Sequence, residues 1–483
     1  MRFNRVLLVS PPSLSYLGAA RPPQNLGYLA QALLENDIEY DVLDMRLNYT
    51  FSHLSRKINF FKPDLIGVTI VSLEYKKTYD LMTRIKTEYP EVKIVVGGPH
   101  ITVLQNSVLE ECSAIDYGVV YEGEITLVEL CQNGKSEKDV NGLIRRENGH
   151  IVTNRKREFQ KNLDDLSFPT YVHFELKKYI NEIAFNSSRG CPYQCIFCPN
   201  KMITQKFRYR SAEHVVDEIE YWYTKGYRVF NYDDDNFTLL MDRVYKICDE
   251  IERRRIHDVE LRCSNGIRAD RVDRGLLKRM REVGFSYIAF GVDGGNNKML
   301  RYNKKDETIE QIEQAIKDAC ELGFDVKIFM ITGMPHETMD DIEDSLRLVQ
   351  KYPIKRVILN NPIPYPGTEL FEIIKKNDWF IKQPEEYLNY VTENENIPVF
   401  QTPELTLEDR LTILKKCRKV EKDVTRKAVT RIYHKYSVFA SLAGLIFASS
   451  FMQRMFFKNK HFRKIVEYLR YKRMLVGKHR IIG

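Results

Sequence analysis

The chain has 483 residues, of which 43% are hydrophobic and 29% are charged. This composition excludes a globally disordered chain, a collagen-like repeat and a pure coiled coil. Nine cysteines are too few for a disulfide scaffold, so we expect a protein of a reducing compartment, the cytoplasm. The net charge of +8 is concentrated at one end, because fourteen Lys and Arg residues but a single acidic residue lie between Arg426 and Gly483.

The first third of the chain alternates apolar strands with helices. Strands are predicted at residues 5–10, 40–43, 65–71, 92–96 and 117–120, and helices at residues 25–35 and 75–88. Continuous Val and Ile runs between helices are typical of a parallel sheet that is covered on both faces. Ligands of such sheets lie beyond the carboxyl ends of the strands. We place this α/β domain at residues 1–135.

A second series of strands and helices follows a connector at residues 136–180. Within the connector, Asn148–Gly149 is a hairpin turn signal. Six further strands are predicted at residues 182–187, 228–232, 259–264, 287–292, 326–331 and 356–360, with helices between them. This alternation over residues 181–380 predicts a barrel or partial barrel whose active site lies at the C-terminal ends of its strands.

The last region, residues 381–483, is predicted to be helical and to end in a basic tail. Residues 436–453 carry no charge and are flanked by Lys and Arg on both sides. Three interpretations remain open: a helix lying at an anionic membrane surface, a helix packed on the barrel, and a membrane span. We do not expect a nucleic-acid partner, because the basic residues alternate with large apolar ones and no recognised nucleic-acid motif is present.

Three cysteines lie together on the loop that follows the first barrel strand. The spacing of Cys191, Cys195 and Cys198 lets one short loop offer three thiolates to one centre. Structural zinc usually takes four ligands, often as two C-x-x-C pairs, and no second pair exists. Thiolates also bind iron–sulfur clusters, and three cysteines would leave one of four irons open. We favour such a catalytic cluster and keep zinc as the alternative.

The cysteine motif and four later segments resemble the radical S-adenosylmethionine (radical SAM) superfamily. The family's usual patterns are S-R-G-C-P-x-x-C-x-F-C, D-D-N-F, G-x-E-S-G, x-G-x-P-G-E-T and P-Y-P-G-T. The corresponding segments here are SSRGCPYQCIFCPN (187–200), YDDDNF (232–237), GVDGG (291–295), TGMPHET (332–338) and PYPGT (364–368). Their order and their positions at strand ends both agree with the family, and the resemblance covers most of the chain.

The resemblance implies a [4Fe–4S] cluster on the three cysteines, with the open iron binding S-adenosylmethionine (SAM). A low-potential donor of the flavodoxin or ferredoxin type would supply an electron, and a 5′-deoxyadenosyl radical would then remove hydrogen from the substrate. Asp234 or Asp235 would pair with the methionine ammonium of SAM. The alternatives for these acids are an N-cap for the helix at Met241 or a solvated loop.

Other residues in or near these segments have two interpretations each. Asp293 stands where the family has Glu, so it would reach a ribose hydroxyl of SAM with a shorter side chain or fall short of it. Arg268 would meet a carboxylate of a ligand or form a salt bridge with Asp270. His336, which replaces the family's Gly, would be a turn residue or contact substrate. Cys263 would be a small buried residue or a thiol near the site.

The first domain resembles the cobalamin-binding domain that precedes the barrel in one subclass of this family. The matching segments are VLLVSPP, PPQNLGYLAQALLE, VGGPH and NLDDLSFP. The D-x-H-x-x-G motif, whose histidine ligates cobalt, is absent, so cobalamin would bind without that ligand. The candidate contacts are Ser72, Gly97, Gly98 and Glu122, while His100 would approach the corrin or belong to a plain turn. A relic domain without cofactor is the alternative.

The fold implied by the resemblance is α/β: a flavodoxin-like, Rossmann-type cobalamin-binding domain, a radical SAM partial (βα)6 barrel, and a helical, basic C-terminal region. The function implied is methylation of an unactivated carbon in a small-molecule or lipid-like substrate. Two alternatives stay open, namely cyclisation, oxidation or rearrangement without methyl transfer, and a non-catalytic corrinoid sensor. If the tail binds an anionic membrane surface, the protein is peripheral to that membrane.

Overall fold

A computed structural model describes residues 2–12, 20–132, 134, 136–389 and 397–432 of the chain. The uncharged stretch at residues 436–453, for which three interpretations are open, and the part of the basic tail from residue 433 onward lie outside these residues. Among the helices that the structure describes, none combines the length and the apolar character needed to cross a membrane.

The first sheet has the flavodoxin-like topology predicted from the sequence. Its elements are β1 (Arg5–Ser10), α1 (Gln24–Glu35), β2 (Glu39–Asp44), α2 (Phe51–Phe61), β3 (Leu65–Thr69), α3 (Tyr75–Glu88), β4 (Lys93–Gly97), α4 (Pro99–Leu104), α5 (Asn106–Glu111), β5 (Tyr117–Val119) and α6 (Glu124–Cys131). The five strands are parallel and lie in the order β2-β1-β3-β4-β5. Loops at the carboxyl ends of β1, β3 and β4 therefore meet at one edge of the sheet.

The hairpin predicted at Asn148–Gly149 forms and extends this sheet. Strands β6 (Leu143–Glu147) and β7 (His150–Thr153) are antiparallel, and β6 pairs with β5. Both turn residues have positive φ, 50° for Asn148 and 81° for Gly149, as a two-residue hairpin of this type requires. The predicted connector at residues 136–180 thus contains two strands of the first sheet, which continues past residue 135.

The second sheet is the predicted partial barrel, with six parallel strands in the order β15-β14-β13-β12-β11-β8. The elements of this part of the chain are β8 (Ile183–Phe185), β9 (Ser188–Arg189), α7 (Asn200–Ile203), β10 (Arg208–Tyr209), α8 (Ala212–Thr224), β11 (Val229–Tyr232), α9 (Met241–Arg253), β12 (Glu260–Ile267), α10 (Arg274–Glu282), β13 (Phe285–Gly291), α11 (Asn297–Tyr302), α12 (Ile309–Glu321), β14 (Asp325–Ile331), α13 (Met339–Lys351) and β15 (Arg356–Asn360). The short strands β9 and β10 form a separate antiparallel pair. Each long strand lies beside its predecessor, so the C-terminal ends share one rim.

The strand β12 is longer than the predicted strand at residues 259–264. Its pairing with β13 shifts register between Cys263 and Ile267, and Gly266 inside this shift has a φ of 109°. A glycine in a polar stretch is a turn signal by sequence alone. In the barrel the same glycine permits a bulge, and the strand continues beyond it.

Helices close the barrel at the C-terminal side of the described chain. They are α14 (Glu369–Lys376), α15 (Pro384–Tyr387) and α16 (Leu407–Ile432). The apolar side chains Ile413, Cys417, Val420 and Val424 of α16 are buried, with the three- to four-residue spacing of one helix face. The Glu421 carboxylate accepts the Leu359 amide at 2.8 Å, which fixes α16 against β15.

Candidate active site

The cysteine loop leaves the barrel through a turn that only glycine can occupy. Gly190 has a φ of 89°, and a Cβ at this position would lie 2.3 Å from the carbonyl oxygen of Lys206. The Gly190 amide donates to Oδ2 of Asp235 at 3.0 Å. The turn that delivers Cys191 is therefore held by a carboxylate at the end of the neighbouring strand β11.

Backbone hydrogen bonds hold the middle of the same loop from two sides. The amide of Ile196 donates to the carbonyl of Asn303 at 3.3 Å, and the carbonyl of Ile196 accepts the amide of Leu370 at 2.9 Å. The Ile196 side chain is 1% exposed. Segments that follow β13 and β15 thus position a loop that follows β8, which brings three strand ends to one place.

The three thiols Cys191, Cys195 and Cys198 are all half-buried. Burial raises the pKa of each thiol, for Cys195 to about 12, while the cations Lys305 and Arg268 act to lower the pKa of Cys195. Within the described residues, no three Cys, His, Asp or Glu side chains converge so closely that they could hold a single metal ion. A cluster of four irons takes one thiolate per iron, so its three ligands need not converge on one atom.

The three carboxylates of the acidic segment after β11 have different surroundings: one is buried in hydrogen bonds, and two lie at an open cleft. Asp234 is 1% exposed and accepts hydrogen bonds from the amides of Ser187 and Ser188 and from the Ser187 hydroxyl. Asp234 therefore stabilises the end of β8 and is not among the residues that line the cleft described below, and its predicted contact with methionine stays a prediction. Asp235 and Asp233 do line that cleft. Helix α9 is capped at Leu240 without a side-chain hydrogen bond, so the N-cap interpretation is wrong.

The Asp293 carboxylate forms an ion pair with Lys305, a residue that was not identified from the sequence as part of the site. Lys305 Nζ lies 3.0 Å from Oδ2 of Asp293, and the side-chain Nδ2 of the buried Asn303 donates to the Asp293 backbone carbonyl at 2.7 Å. Asp293 has a φ of 56° and is 8% exposed. The predicted contact of Asp293 with ribose stays a prediction, and in this structure the carboxylate balances the charge of Lys305.

Arg268 packs against the cysteine loop. Its Nε lies 2.8 Å from Oδ1 of Asp270, which confirms the salt-bridge interpretation. The guanidinium also lies 3.5 Å from the ring centroid of Tyr193, a residue inside the cysteine motif. This stacking attaches the loop to the end of β12, and because it joins residues 75 positions apart, no local pattern could have indicated it.

For His336 and Cys263, the structure decides between the two interpretations that the sequence left open. His336 has a φ of 63° and its exposed ring lies 3.0 Å from Glu404, which confirms the turn interpretation. Cys263 is 1% exposed within the barrel core, which confirms the interpretation as a small buried residue.

A cleft of about 690 Å³ lies between the first domain and the rim of the barrel. On the barrel side it reaches Asp235 and both flanks of the cysteine loop, at Arg189 and Asn200. On the other side it follows the carboxyl edge of the first sheet to Gly97 and Gly98. One cavity therefore joins the cysteine loop to the strand ends of the first domain.

The comparisons with known proteins agree with this geometry. The family model "Radical SAM superfamily" matches residues 185–349, and the model "B12 binding domain" matches residues 16–131. Together the two matches cover more than half of the chain, and they meet at the cleft. The chain belongs to the cobalamin-binding radical SAM family. It is a radical SAM enzyme, and the cofactors of the family are a [4Fe–4S] cluster, SAM and cobalamin.

Individual relatives extend over most of this radical SAM chain. An uncharacterized methyltransferase of Pyrococcus horikoshii is 29% identical over 430 residues, which are 86% of this chain and 92% of the relative. An anaerobic magnesium-protoporphyrin IX monomethyl ester cyclase of Cereibacter sphaeroides is 26% identical over 73% of this chain and 60% of its own length. The radical SAM methyltransferase TsrM from Kitasatospora setae, solved with cobalamin and a [4Fe–4S] cluster bound, has a TM-score of 0.71 and 18% identity over 91% of this chain and 99% of that one.

The first domain of this radical SAM enzyme has room for a corrinoid at the sheet edge. A Cβ at Gly67 would lie 3.0 Å from Leu8, and one at Gly98, whose φ is 104°, would lie 2.7 Å from the Ile70 carbonyl. Gly67, Gly97 and Gly98 all line the cleft. Glycine is needed at Gly67 and Gly98 because a side chain there would clash with the protein itself, whereas at Gly97 a Cβ would meet only the Val119 carbonyl, at 3.9 Å. The strand-end backbone therefore forms the surface of the cleft, and the residues present fit a large planar cofactor packed on that backbone.

Two of the predicted cobalamin contacts, Ser72 and His100, lie away from the cleft. The Ser72 hydroxyl is 3.3 Å from Nδ1 of His100. His100 is fully buried and stacks on Tyr75 with 4.6 Å between ring centroids. Burial lowers the pKa of His100 to about 4, so the imidazole is neutral. His100 belongs to helix α4 and not to a plain turn. The Ser72 hydroxyl forms a hydrogen bond with the His100 ring.

Glu122 lines the cleft, but its carboxylate is paired across the domain boundary. Its Oε1 lies 2.9 Å from both Arg189 and Arg208, and Arg189 also pairs with Glu124 at 2.8 Å. These two arginines act to lower the pKa of Glu122 against the opposing effect of burial. The predicted contact of Glu122 with cobalamin stays a prediction, and the observed role of Glu122 is to hold the cysteine loop to the first domain.

Proposed function

We propose that the chain is a cobalamin-dependent methyltransferase that acts on an unactivated carbon of a small-molecule or lipid-like substrate. The observation that carries this proposal is the single cleft that joins the cysteine loop to the glycine-lined slot of the first domain. Radical formation at one end and methyl delivery at the other need such a shared space. The methyltransferase name of the Pyrococcus horikoshii relative supports the same activity.

When bound, the cluster supplies the electron that cleaves SAM, and cobalamin supplies a carrier for the methyl group. Cys191, Cys195 and Cys198 would hold the cluster, and the three hydrogen bonds at Gly190 and Ile196 keep their loop in one geometry. Preorganisation of this kind avoids reorganisation during the reaction. Half-burial of the thiols limits the access of water to them.

Charged residues around the loop would position SAM. Asp235 lines the cleft beside the loop. Its carboxylate accepts hydrogen bonds from the Gly190 amide and the Asn200 side chain, and its remaining lone pairs would accept from the methionine ammonium. We propose Asp293, held by Lys305, for the ribose hydroxyls, because it follows β13 on the same rim. Gly97 and Gly98 would contact the corrin through their backbone.

The test is an anaerobic incubation of the reconstituted protein with dithionite, SAM and cobalamin. Methyl transfer predicts that 5′-deoxyadenosine and S-adenosylhomocysteine form together. Deoxyadenosine without S-adenosylhomocysteine would contradict methyl transfer and support cyclisation, oxidation or rearrangement, which the cyclase from Cereibacter sphaeroides favours as the second candidate. Neither product in the presence of substrate would leave only a corrinoid sensor, which the comparisons do not support.

We further propose a cytoplasmic enzyme that takes its electron from a flavodoxin or ferredoxin and touches an anionic membrane through its basic tail. The charge of residues 426–483 supports the membrane contact. Flotation with vesicles containing phosphatidylserine tests it, with vesicles of phosphatidylcholine as the control. The protein should float only with the anionic vesicles and only at low salt, and its absence from both floating fractions would contradict the contact.

A further inference from the structure

The strand β14 carries a polar face toward the concave side of the barrel. Val326, Ile328 and Met330 are buried in the core formed with the outer helices. Because strand side chains alternate, Lys327 and Phe329 lie on the opposite face, which lines the lumen. Both are half-buried. A lysine is thus built into the inner wall of the barrel, below the rim that carries the cysteine loop.

The charges on the wall across the lumen are paired. Glu182 lies at ion-pair distance from both Arg262 and Arg21. Arg262 also contacts Glu260 at 2.8 Å, and Arg21 contacts Asp233 at 3.1 Å. On this side of the lumen each cation is compensated by carboxylates of the protein.

The β14–β15 wall is different, because the charged groups that act on Lys327 are the cations Arg356 and Arg21 and not carboxylates. Lys327 pairs in register with Arg356 on the neighbouring strand, so their side chains lie on the same face. Lys327 Nζ lies 3.8 Å from the ring centroid of Phe329. Asp325, the neighbouring carboxylate on the same face of β14, pairs with Lys355, and Arg356 lies near enough to Glu421 of α16 to act on the pKa of that carboxylate.

The electrostatics of Lys327 reflect this lack of a counter-charge. Burial and the nearby cations Arg356 and Arg21 lower the pKa of Lys327 to about 8. A half-buried cation without a partner is costly in a folded protein. An anion at this position would remove that cost by pairing with both side chains.

We infer that Lys327 and Arg356 form a subsite that binds an anionic group, a carboxylate or a phosphate, of the enzyme's substrate. Lys327 lies four residues before the end of β14 at Ile331, which places its Cα roughly 13 Å below the rim at about 3.3 Å per residue. The substrate is then an elongated molecule with an anionic end in the lumen and its reacting carbon near the rim. This inference rests on the proposed function only in assigning the lumen to the substrate.

The test titrates the full-length protein with inorganic phosphate and, separately, with acetate, followed by isothermal calorimetry in chloride-free buffer. We expect one saturable site in the wild type for at least one of these ions. Lys327→Met should weaken binding at least tenfold, and Arg356→Gln, at an exposed position, at least threefold. Lys351→Met serves as the matched control, because Lys351 is a lysine of helix α13 already paired with Glu313, and should bind as the wild type does.

The two ions distinguish the sources of the anion. Tighter binding of phosphate assigns a phosphorylated substrate, and tighter binding of acetate assigns a carboxylic acid. Wild-type protein that binds neither ion saturably, or Lys327→Met protein that binds as tightly as the wild type, would overturn the subsite. Because the titration needs no SAM cleavage, failure of the subsite and failure of the proposed methyl transfer are separate results.

Discussion

Arg189 of the barrel donates a hydrogen bond to Glu122 of the first domain, with 2.9 Å between Nη1 and Oε1. Arg189 directly precedes the Gly190 turn, so this ion pair ties the start of the cysteine loop to the edge of the first sheet. Both side chains are mostly buried, at 15% and 18% exposure. The distance between the two halves of the active site therefore depends on a charge pair that spans the domain boundary.

Removal of this pair should destabilise the protein. Arg189→Met leaves the carboxylates of Glu122 and Glu124 without one of their cations, and we expect the free energy of unfolding to fall by about 3 kcal/mol. Urea denaturation followed by circular dichroism measures the change. Arg274→Met is the control, since Arg274 pairs with Asp318 and Glu321 at the surface and should change stability little. Equal losses in the two variants would contradict the role given to Arg189.

Substitution of two glycines with similar φ should distinguish the cost of backbone strain from the cost of a steric clash. Gly190 and Gly226 have φ of 89° and 91°, but a Cβ at Gly226 would meet no atom within 4 Å. Gly226→Ala should cost about 1 kcal/mol from its φ alone. Gly190→Ala should cost at least ~2 kcal/mol more, because the Lys206 carbonyl must move. Denaturant unfolding measures both, and similar costs would show that the turn has room for a side chain.

The Asp235 carboxylate should be needed for the geometry of the cysteine loop. Asp235→Ala leaves the Gly190 amide without its acceptor, at a cost of about 1–3 kcal/mol, and should lower the iron bound per chain after anaerobic reconstitution. Asp235→Asn keeps an acceptor oxygen and should bind iron nearly as the wild type does. Iron and labile-sulfide analysis of the two variants provides the measurement. Full iron content in Asp235→Ala would contradict the positioning role.

Glu337 should make stability depend on pH. Its carboxylate is 1% exposed and accepts the amides of Gly333 and Met334, and burial raises its pKa to about 7. Because the folded state holds the proton more tightly than the unfolded state, its contribution is complete below about pH 4.5 and is lost as pH rises through 7. The loss is roughly 3 kcal/mol. Glu337→Gln, compared with the wild type by denaturation between pH 5 and 8, should remove that part of the slope, and an unchanged slope would contradict it.

The sequence predicted those parts of the fold and site that depend on local patterns. The strands of both sheets follow continuous apolar runs, and the three cysteines lie within eight residues of one another. The hairpin at Asn148–Gly149 was predicted from its turn residues, but its pairing with β5 was not, because strand partners are set by tertiary packing. The strand β12 was predicted too short, because a bulge glycine and a turn glycine look alike in sequence.

Contacts between distant residues account for what the sequence could not predict at the site. Asp234 was expected at the cofactor, yet three neighbouring acids give no indication of which one folds inward against Ser187. Lys305 was missed because nothing near it in sequence marks it as the partner of Asp293. Glu122 was identified as a strand-end residue, but its pairing with Arg189 joins positions 67 residues apart. In each case the side chain's role is decided by which strand ends meet at the rim.

The amount of 5′-deoxyadenosine that anaerobically reconstituted protein forms from SAM and dithionite shows directly whether the cysteine loop carries a radical SAM site. We expect iron and labile sulfide in the equal amounts of a [4Fe–4S] cluster, and deoxyadenosine formation that Cys195→Ala abolishes. Cys263→Ala, at a cysteine buried in the barrel core, should still form deoxyadenosine. Zinc in place of iron, or equal deoxyadenosine formation by Cys195→Ala and wild type, would contradict a radical SAM site on this loop.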